Sequence, residues 1–411
     1  MSESMSETVA AKSVSMSRRR LLGTAAAGAG ASLLSMSVKG EEAVPADPTR
    51  VPGRPPSGLG NRSPFEAIER KPVFGVVSLT PLERLYGTIT PADLHFERHH
   101  AGIPALDPER HELVLHGMVN KPLAFSLADL KRFPSVTRSC FIECSGNYFP
   151  TAGELSPPHL VCGLTSQSEW TGVPLATLLR EAGVKAGASW ILAEGSDAAV
   201  MSRSIPLEKA LDDALIVYAQ NGEAIRPAQG YPMRLLLPGW EGNTNVKWLR
   251  RLEVTDAPSM SRDETSKYTE PMRDGRVRQF SFDIEARSII TSPAYPQTIE
   301  PGWHEIRGIA WSGRGRISRV EVSTDGGKRW QPATLQGPVL PKAHTRFGLP
   351  WRWDGESTEI LSRAVDETGY VQPTLKEIYK ERGPGSGPYH FNPVTGWRVL
   401  REGELRFSPT G

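Results

Sequence analysis

Three short segments concentrate the residue types from which a redox or anion-binding site is built. Asp93-Leu-His-Phe-Glu-Arg-His-His100 brings three histidines and Arg98 together just ahead of the turn Gly102-Ile-Pro104. Cys140-Phe-Ile-Glu-Cys144-Ser-Gly-Asn147 reads as an apolar-flanked strand running into a Ser-Gly-Asn turn. Cys144 therefore falls at a strand end, where a reactive thiolate or a metal-ligating sulfur can face a cleft. Pro238-Gly-Trp-Glu-Gly-Asn-Thr-Asn-Val-Lys-Trp248 sets Asn243, Asn245 and Lys247 in a tight loop between strands. Exposed backbone amides, amide side chains and a cation suit an anion such as a phosphate. Taken singly, His95, His99 and His100 also read as polar loop residues, and Cys140 as a disulfide partner of Cys144 or a buried thiol. Together the segments imply an oxygen-rich anionic ligand held beside a thiolate. No His-Glu-x-x-His or Cys-x-x-Cys pair supports zinc, and no Cys-x-x-Cys-His attaches a c-type haem.

The elements that must position these segments are short and mixed. Glu112–Gly117 alternates as a strand, Ser126–Arg132 is a short helix capped near Ser126 or Phe125, and Leu175–Gly183 is a helix ended by its glycine. Trp190–Glu194, Ala214–Tyr218 and Met233–Leu237 are apolar enough to be buried strands. Helices do not follow strands at a regular interval, which favours an α+β fold for residues 65–272 over a doubly wound sheet. Beyond Ser281 the pattern becomes short alternating runs, Trp303–Trp311, Ile317–Ser323 and Thr358–Asp366, with a hairpin turn at Asp325-Gly-Gly327. A β-sandwich over residues 280–405 is expected, with a structural or partner-binding role rather than a catalytic one.

The 411 residues allow two or three domains, and 38% apolar residues suffice for proper cores. The charge, 48 basic against 46 acidic residues, argues against a nucleic-acid binder. Arg18-Arg19-Arg20 directly precede a charge-free stretch, Leu21 to Val38, rich in Ala, Gly and Ser. Residues 1–40 thus match a twin-arginine export signal and predict a periplasmic protein, with residues 41–64 an extended lead-in. The run of small residues is poorly suited to a permanent membrane span, and no later stretch is long and apolar enough for one. An exported chain with three cysteines leaves at least one thiol unpaired, which calls for a role.

These residues resemble the sulfite-oxidase family of molybdenum enzymes, and within it the molybdenum subunits of Sox-type sulfane dehydrogenases. The resemblance runs from about Gly60 to Arg401. It rests on Phe96-Glu-Arg-His-His-Ala101, Ala193-Glu-Gly-Ser-Asp197, Arg203–Asp213, Val246–Arg251, Glu264–Thr269, Ala310–Arg316 and Asp366–Pro373. It implies a molybdopterin domain followed by an immunoglobulin-like dimerisation sandwich, with a mononuclear, oxo-form molybdenum ligated by Cys144. It implies Arg98 facing an oxyanionic substrate and Tyr268 as the active-site tyrosine. Phe96, Arg98, His99, His100, Asp197, Gln229, Arg234, Asn245 and Lys247 are the implied cofactor contacts, with Arg234 and Lys247 suited to the phosphate. The sequence departs from animal and plant sulfite oxidases where Tyr148-Phe149 replace two arginines and Gln229 replaces a histidine. A C-terminal arginine has no clear counterpart, and His390 lies nearby. Fewer cations suit a persulfide borne by a carrier protein better than free sulfite. With no haem motif on the chain, a c-type cytochrome subunit is the implied electron acceptor, and a homodimer through the sandwich is expected.

Overall fold

The computed structural model describes residues 48–148, 152–383 and 389–409. The arginine run of the expected export signal and the first part of the lead-in lie outside the described residues. Up to Arg62 the described chain carries one short 3-10 turn, Pro48–Arg50, and is exposed.

From Ser63 onward the chain is one unit, and its first half is built on two sheets. In one, the order is Leu123–Ser126, Glu112–Gly117, Leu249–Thr255, Trp190–Gly195, Ser202–Pro206, with Glu112–Gly117 and Leu249–Thr255 parallel and the other pairs antiparallel. Glu112–Gly117 alternates because Leu113 and Leu115 point into the core, fully buried, while Val114 stays outside. Helix Leu175–Ala182 lays Leu175, Leu178, Leu179 and Ala182 on the same core at helical spacing, and Gly183 ends it at φ 69°. The expected helix after Ser126 is a single turn, Leu127–Leu130, closed by a Ser126–Asp129 capping box.

The second sheet pairs Val136–Glu143 with Thr165–Pro174, which pairs in turn with Leu215–Gln220. Thr165-Ser-Gln-Ser168 has no hydrophobic pattern, and nothing in its composition marks a core strand. All four side chains are nonetheless buried. Their polar atoms are matched from distant segments: Thr165 with His344 at 2.9 Å, Ser166 with Thr80 at 2.6 Å, Ser168 with Gln220 at 2.9 Å. Paired in this way, the buried hydroxyls and amide avoid the desolvation penalty that would otherwise exclude them.

The second half is an antiparallel sandwich. One sheet runs Arg287–Ser292, Gly302–Trp311, Thr345–Trp353, Thr334–Gln336, and the other Gln331–Pro332, Ile317–Ser323, Thr358–Asp366, Thr395–Val399, Leu405–Ser408. Between Thr358–Asp366 and Thr395–Val399 comes a helix that alternation did not announce, Leu375–Arg382, opened by a Thr374–Glu377 capping box. The sandwich core is continuous with the first half, since Leu82, Phe141, Tyr148 and Cys162 join Trp311, Phe347 and Trp397 in one cluster. Gly239 and Gly313 meet backbone to backbone at this junction. A Cβ on Gly313 would lie 1.9 Å from the Gly239 carbonyl oxygen, so neither position has room for a side chain.

Candidate functional site

The strand Val136–Glu143 delivers Cys144 to a turn held from both halves of the molecule. Asn147 donates to Glu143 at 2.8 Å and accepts from the Leu164 amide at 2.7 Å. Glu143 also receives Arg287 at 2.9 Å and the Trp311 indole N–H at 2.5 Å, both from the sandwich. With its carboxylate fully engaged, Glu143 locks the strand end. Gly242 packs against the Glu143 carbonyl and Cys144 Cα so closely that a Cβ would lie 2.8 Å from that oxygen. All three cysteines are unpaired; Cys140 and Cys162 are buried with thiols pushed up to about 12 by burial. Of the two alternatives for Cys140, burial is what the structure shows. Of the three, Cys144 alone is partly exposed, and it lines a cleft.

That cleft brings together every catalytic, metal-ligating and cofactor-contacting residue that the resemblance implies. Phe96, Arg98, His99 and His100 come from one segment, Asp197 from the end of a strand, Gln229 and Arg234 from a turn and the strand after it, Asn245 and Lys247 from the glycine-asparagine loop, and Tyr268 from beyond the last helix of the first half. His95, Asn243, Met201 and Trp248 complete the wall. Arg203, which stacks on Tyr268, and Glu264, which holds Arg203, lie in segments that carried the resemblance but received no role there.

The cations of the cleft are poorly neutralised by the protein. Arg234 lies buried over the Trp170 ring and donates to the carbonyls of Gln229 and Asn245 at 3.0 and 2.9 Å. Its Nε has no partner among the described residues, and burial lowers its pKa to about 9. Lys247 donates to the carbonyls of Arg98 and Ala228 and to His99 Nδ1 at 2.8 Å, and burial pulls its pKa well below the usual lysine value. His99 passes its other nitrogen to Glu97 at 2.9 Å, which fixes its tautomer. Among the described residues none of Arg98, Arg234 and Lys247 makes an ion pair. Cations desolvated without an anion are costly, and here they line one cavity. Burial lowers His95 to about 3 and His100 to about 4, so both rings are neutral at pH 7. His100 shares a 3.0 Å hydrogen bond with Tyr268, whose phenol is held protonated by burial.

Behind Tyr268 the charges are matched instead. Arg203 pairs with Glu241 at 3.1 Å and Glu264 at 2.9 Å and stacks 4.8 Å from the Tyr268 ring centroid. His390 lies buried between Glu241 at 3.3 Å and Glu285 at 3.5 Å, and Arg382 reaches Glu285 and Glu270. Burial opposes a charge on His390, but the two carboxylates prevail and raise its pKa to about 10.

The wall thus fits a bulky anionic group: Arg234 and Lys247 could hold a phosphate, the amides and neutral imidazoles a heterocycle, and the Cys144 sulfur a metal. The family described as "Oxidoreductase molybdopterin binding domain" matches residues 100–262, and "Mo-co oxidoreductase dimerisation domain" matches residues 278–396. Sulfite oxidase of Gallus gallus is 32% identical over 335 residues, covering 74% of this chain and 72% of that protein. The chain therefore belongs to the sulfite-oxidase family of molybdopterin oxidoreductases. Among solved structures, the sulfane dehydrogenase SoxCD from Paracoccus pantotrophus is similar with a TM-score of 0.81 and 42% identity, covering 88% of this chain and 98% of that one. A nitrate reductase [NADH] of Ulva prolifera is 31% identical over 334 residues, but this chain spans only 38% of its length.

Proposed function

We propose that the protein is the molybdenum subunit of a periplasmic sulfane dehydrogenase. It would oxidise the sulfane sulfur of a cysteine persulfide on a carrier protein and pass electrons to a c-type cytochrome subunit. The observation that carries this reading is the convergence of Cys144, Arg98 and Tyr268 on one cleft whose cations Arg98, Arg234 and Lys247 make no ion pair among the described residues, in a chain 42% identical to a sulfane dehydrogenase. In this reading residues 65–272 bind the cofactor and residues 280–405 form the dimerisation sandwich. Export follows the twin-arginine signal in residues 1–40. Among the described residues no helix is long and apolar enough to cross a membrane.

Cys144 would ligate molybdenum, Arg234 and Lys247 would hold the cofactor phosphate, and Phe96, His99, His100, Asp197, Gln229 and Asn245 would hold the pterin. When bound, the molybdenum centre supplies two-electron oxidation and oxygen transfer to sulfur. The chain's own residues orient and stabilise. Arg98 presents a permanent charge to an oxyanion, and Tyr268, kept protonated, donates a hydrogen bond at the same place. Arg98 also suits free sulfite, which makes a sulfite dehydrogenase the second reading.

Elemental analysis of the exported protein, wild type beside Cys144→Ser, tests the metal assignment. About one molybdenum per chain in the wild type, with cytochrome c reduction abolished in the variant, is expected; a wild type without molybdenum refutes it. A kcat/KM at least about tenfold higher for the carrier-bound persulfide than for sulfite is expected, and the reverse ratio establishes the second reading.

A further inference from the structure

The segment Tyr389 to Asn392 belongs to the C-terminal half yet is docked against the Cys144 turn. The His390 amide donates to the Ser145 carbonyl at 2.9 Å, Arg287 donates to the Phe391 carbonyl at 2.9 Å, and Arg382 donates to the His390 carbonyl at 2.6 Å. Phe391 packs on Tyr148 with ring centroids 4.8 Å apart. His390 has φ 50°, a left-handed conformation a non-glycine residue rarely adopts. Its side chain is clamped between Glu241 and Glu285, which over-determines that conformation. The consequence of the turn is the placement of Tyr389. Its ring lies 5.4 Å from that of Tyr268, half-buried, within the electrostatic reach of Cys144 and Arg98. Burial keeps its phenol protonated, and its hydroxyl has no hydrogen-bond partner among the described residues. The neighbouring Tyr268 hydroxyl meets the His100 imidazole, where it can accept while donating to substrate.

We propose that Tyr389 is a substrate-binding residue supplied by the C-terminal half, its unengaged hydroxyl donating a hydrogen bond to the anionic end of the sulfur substrate, and to the oxygens that end gains on oxidation, beside Arg98. This rests on the function proposed above. A donor supplied from the second half also explains why a strained turn is clamped against the Cys144 loop.

The test is Tyr389→Phe in the molybdenum-loaded protein, with sulfate as the probe and binding measured by calorimetry. Loss of a hydrogen bond to a charged group predicts about tenfold weaker sulfate binding, with molybdenum content and unfolding midpoint unchanged. KM for sulfite rises by a similar factor while kcat stays within about twofold, the pattern of a binding contact. Unchanged sulfate affinity overturns the proposal. So does loss of molybdenum or of stability in the Phe variant, because that hydroxyl would then serve the fold. A wild type that binds sulfate but oxidises neither sulfite nor persulfide refutes the proposed function, while the difference in sulfate affinity still decides the role of Tyr389.

Discussion

Two groups of largely buried cations flank the Cys144 turn, and the fold treats them in opposite ways. Arg98, Arg234 and Lys247 line the cleft with carbonyls and imidazoles for company and no carboxylate in ion-pair contact among the described residues. Arg203, His390 and Arg382, on the far side of Tyr268, each touch two or more carboxylates. Burial acts on both groups, but its outcome differs. It lowers the pKa of Arg234 and Lys247, whereas for Arg203 and His390 it is overridden by Glu241 and its neighbours. An unmatched cation in a desolvated wall destabilises the empty protein and becomes favourable only when an anion arrives. A matched one holds other groups in place. The contrast separates residues kept for a ligand from residues kept for geometry, though both are basic, buried and close to the same tyrosine.

Substitutions in the two groups should therefore fail differently. The largest effect is expected for Arg234→Met combined with Lys247→Met. Losing two charge-assisted contacts should cut the molybdenum content by more than about tenfold, while the cofactor-free protein, relieved of two unmatched buried cations, becomes no less stable. Elemental analysis and denaturant unfolding on the same samples check both halves. Arg203→Leu should do the converse. It strands Glu264 in the interior and leaves Glu241 with His390 as its one ion-pair partner among the described residues, and should cost about 3–5 kcal/mol in urea unfolding; a loss below about 1 kcal/mol would erase the distinction between the groups. The smallest effect is in pH. His390 has a folded pKa of about 10 against an ordinary 6.5, so its contribution is complete below pH 6.5 and is lost as pH rises through 10. His95 and His344 are depressed to about 3, so their contribution is present above pH 6.5 and is lost as pH falls toward 3. The thermal midpoint should decline on both sides of pH 6.5. Glu285→Gln should flatten the alkaline limb alone.

What could be read ahead of the structure was local. Ile317–Ser323 and Thr358–Asp366 appear as strands at the limits their alternation predicts. Cys144 sits at a strand end because an apolar run meets a Ser-Gly-Asn turn, and Gly183 stops a helix because it can adopt φ 69°. Thr165–Pro174 was illegible, since a polar strand becomes a core strand only when Thr80, Gln220 and His344 supply its partners. The sandwich was expected to serve structure or a partner rather than catalysis, and which parts of the site it braces was not legible in the sequence. Tyr389 and His390 stand against the Cys144 turn, and Glu143 is held by Arg287 and Trp311.

The sequence by itself determined which residue types were available for the site, which segments carried them and where some of their elements end, because periodicity, caps and turns act over a few residues. Only the tertiary structure decided which cations are neutralised. His390 meets Glu241 across 149 positions of chain and Arg203 meets Glu264 across 61. The charge state of a buried group is set by whatever the fold places within a few ångströms, where low dielectric makes each neighbour count.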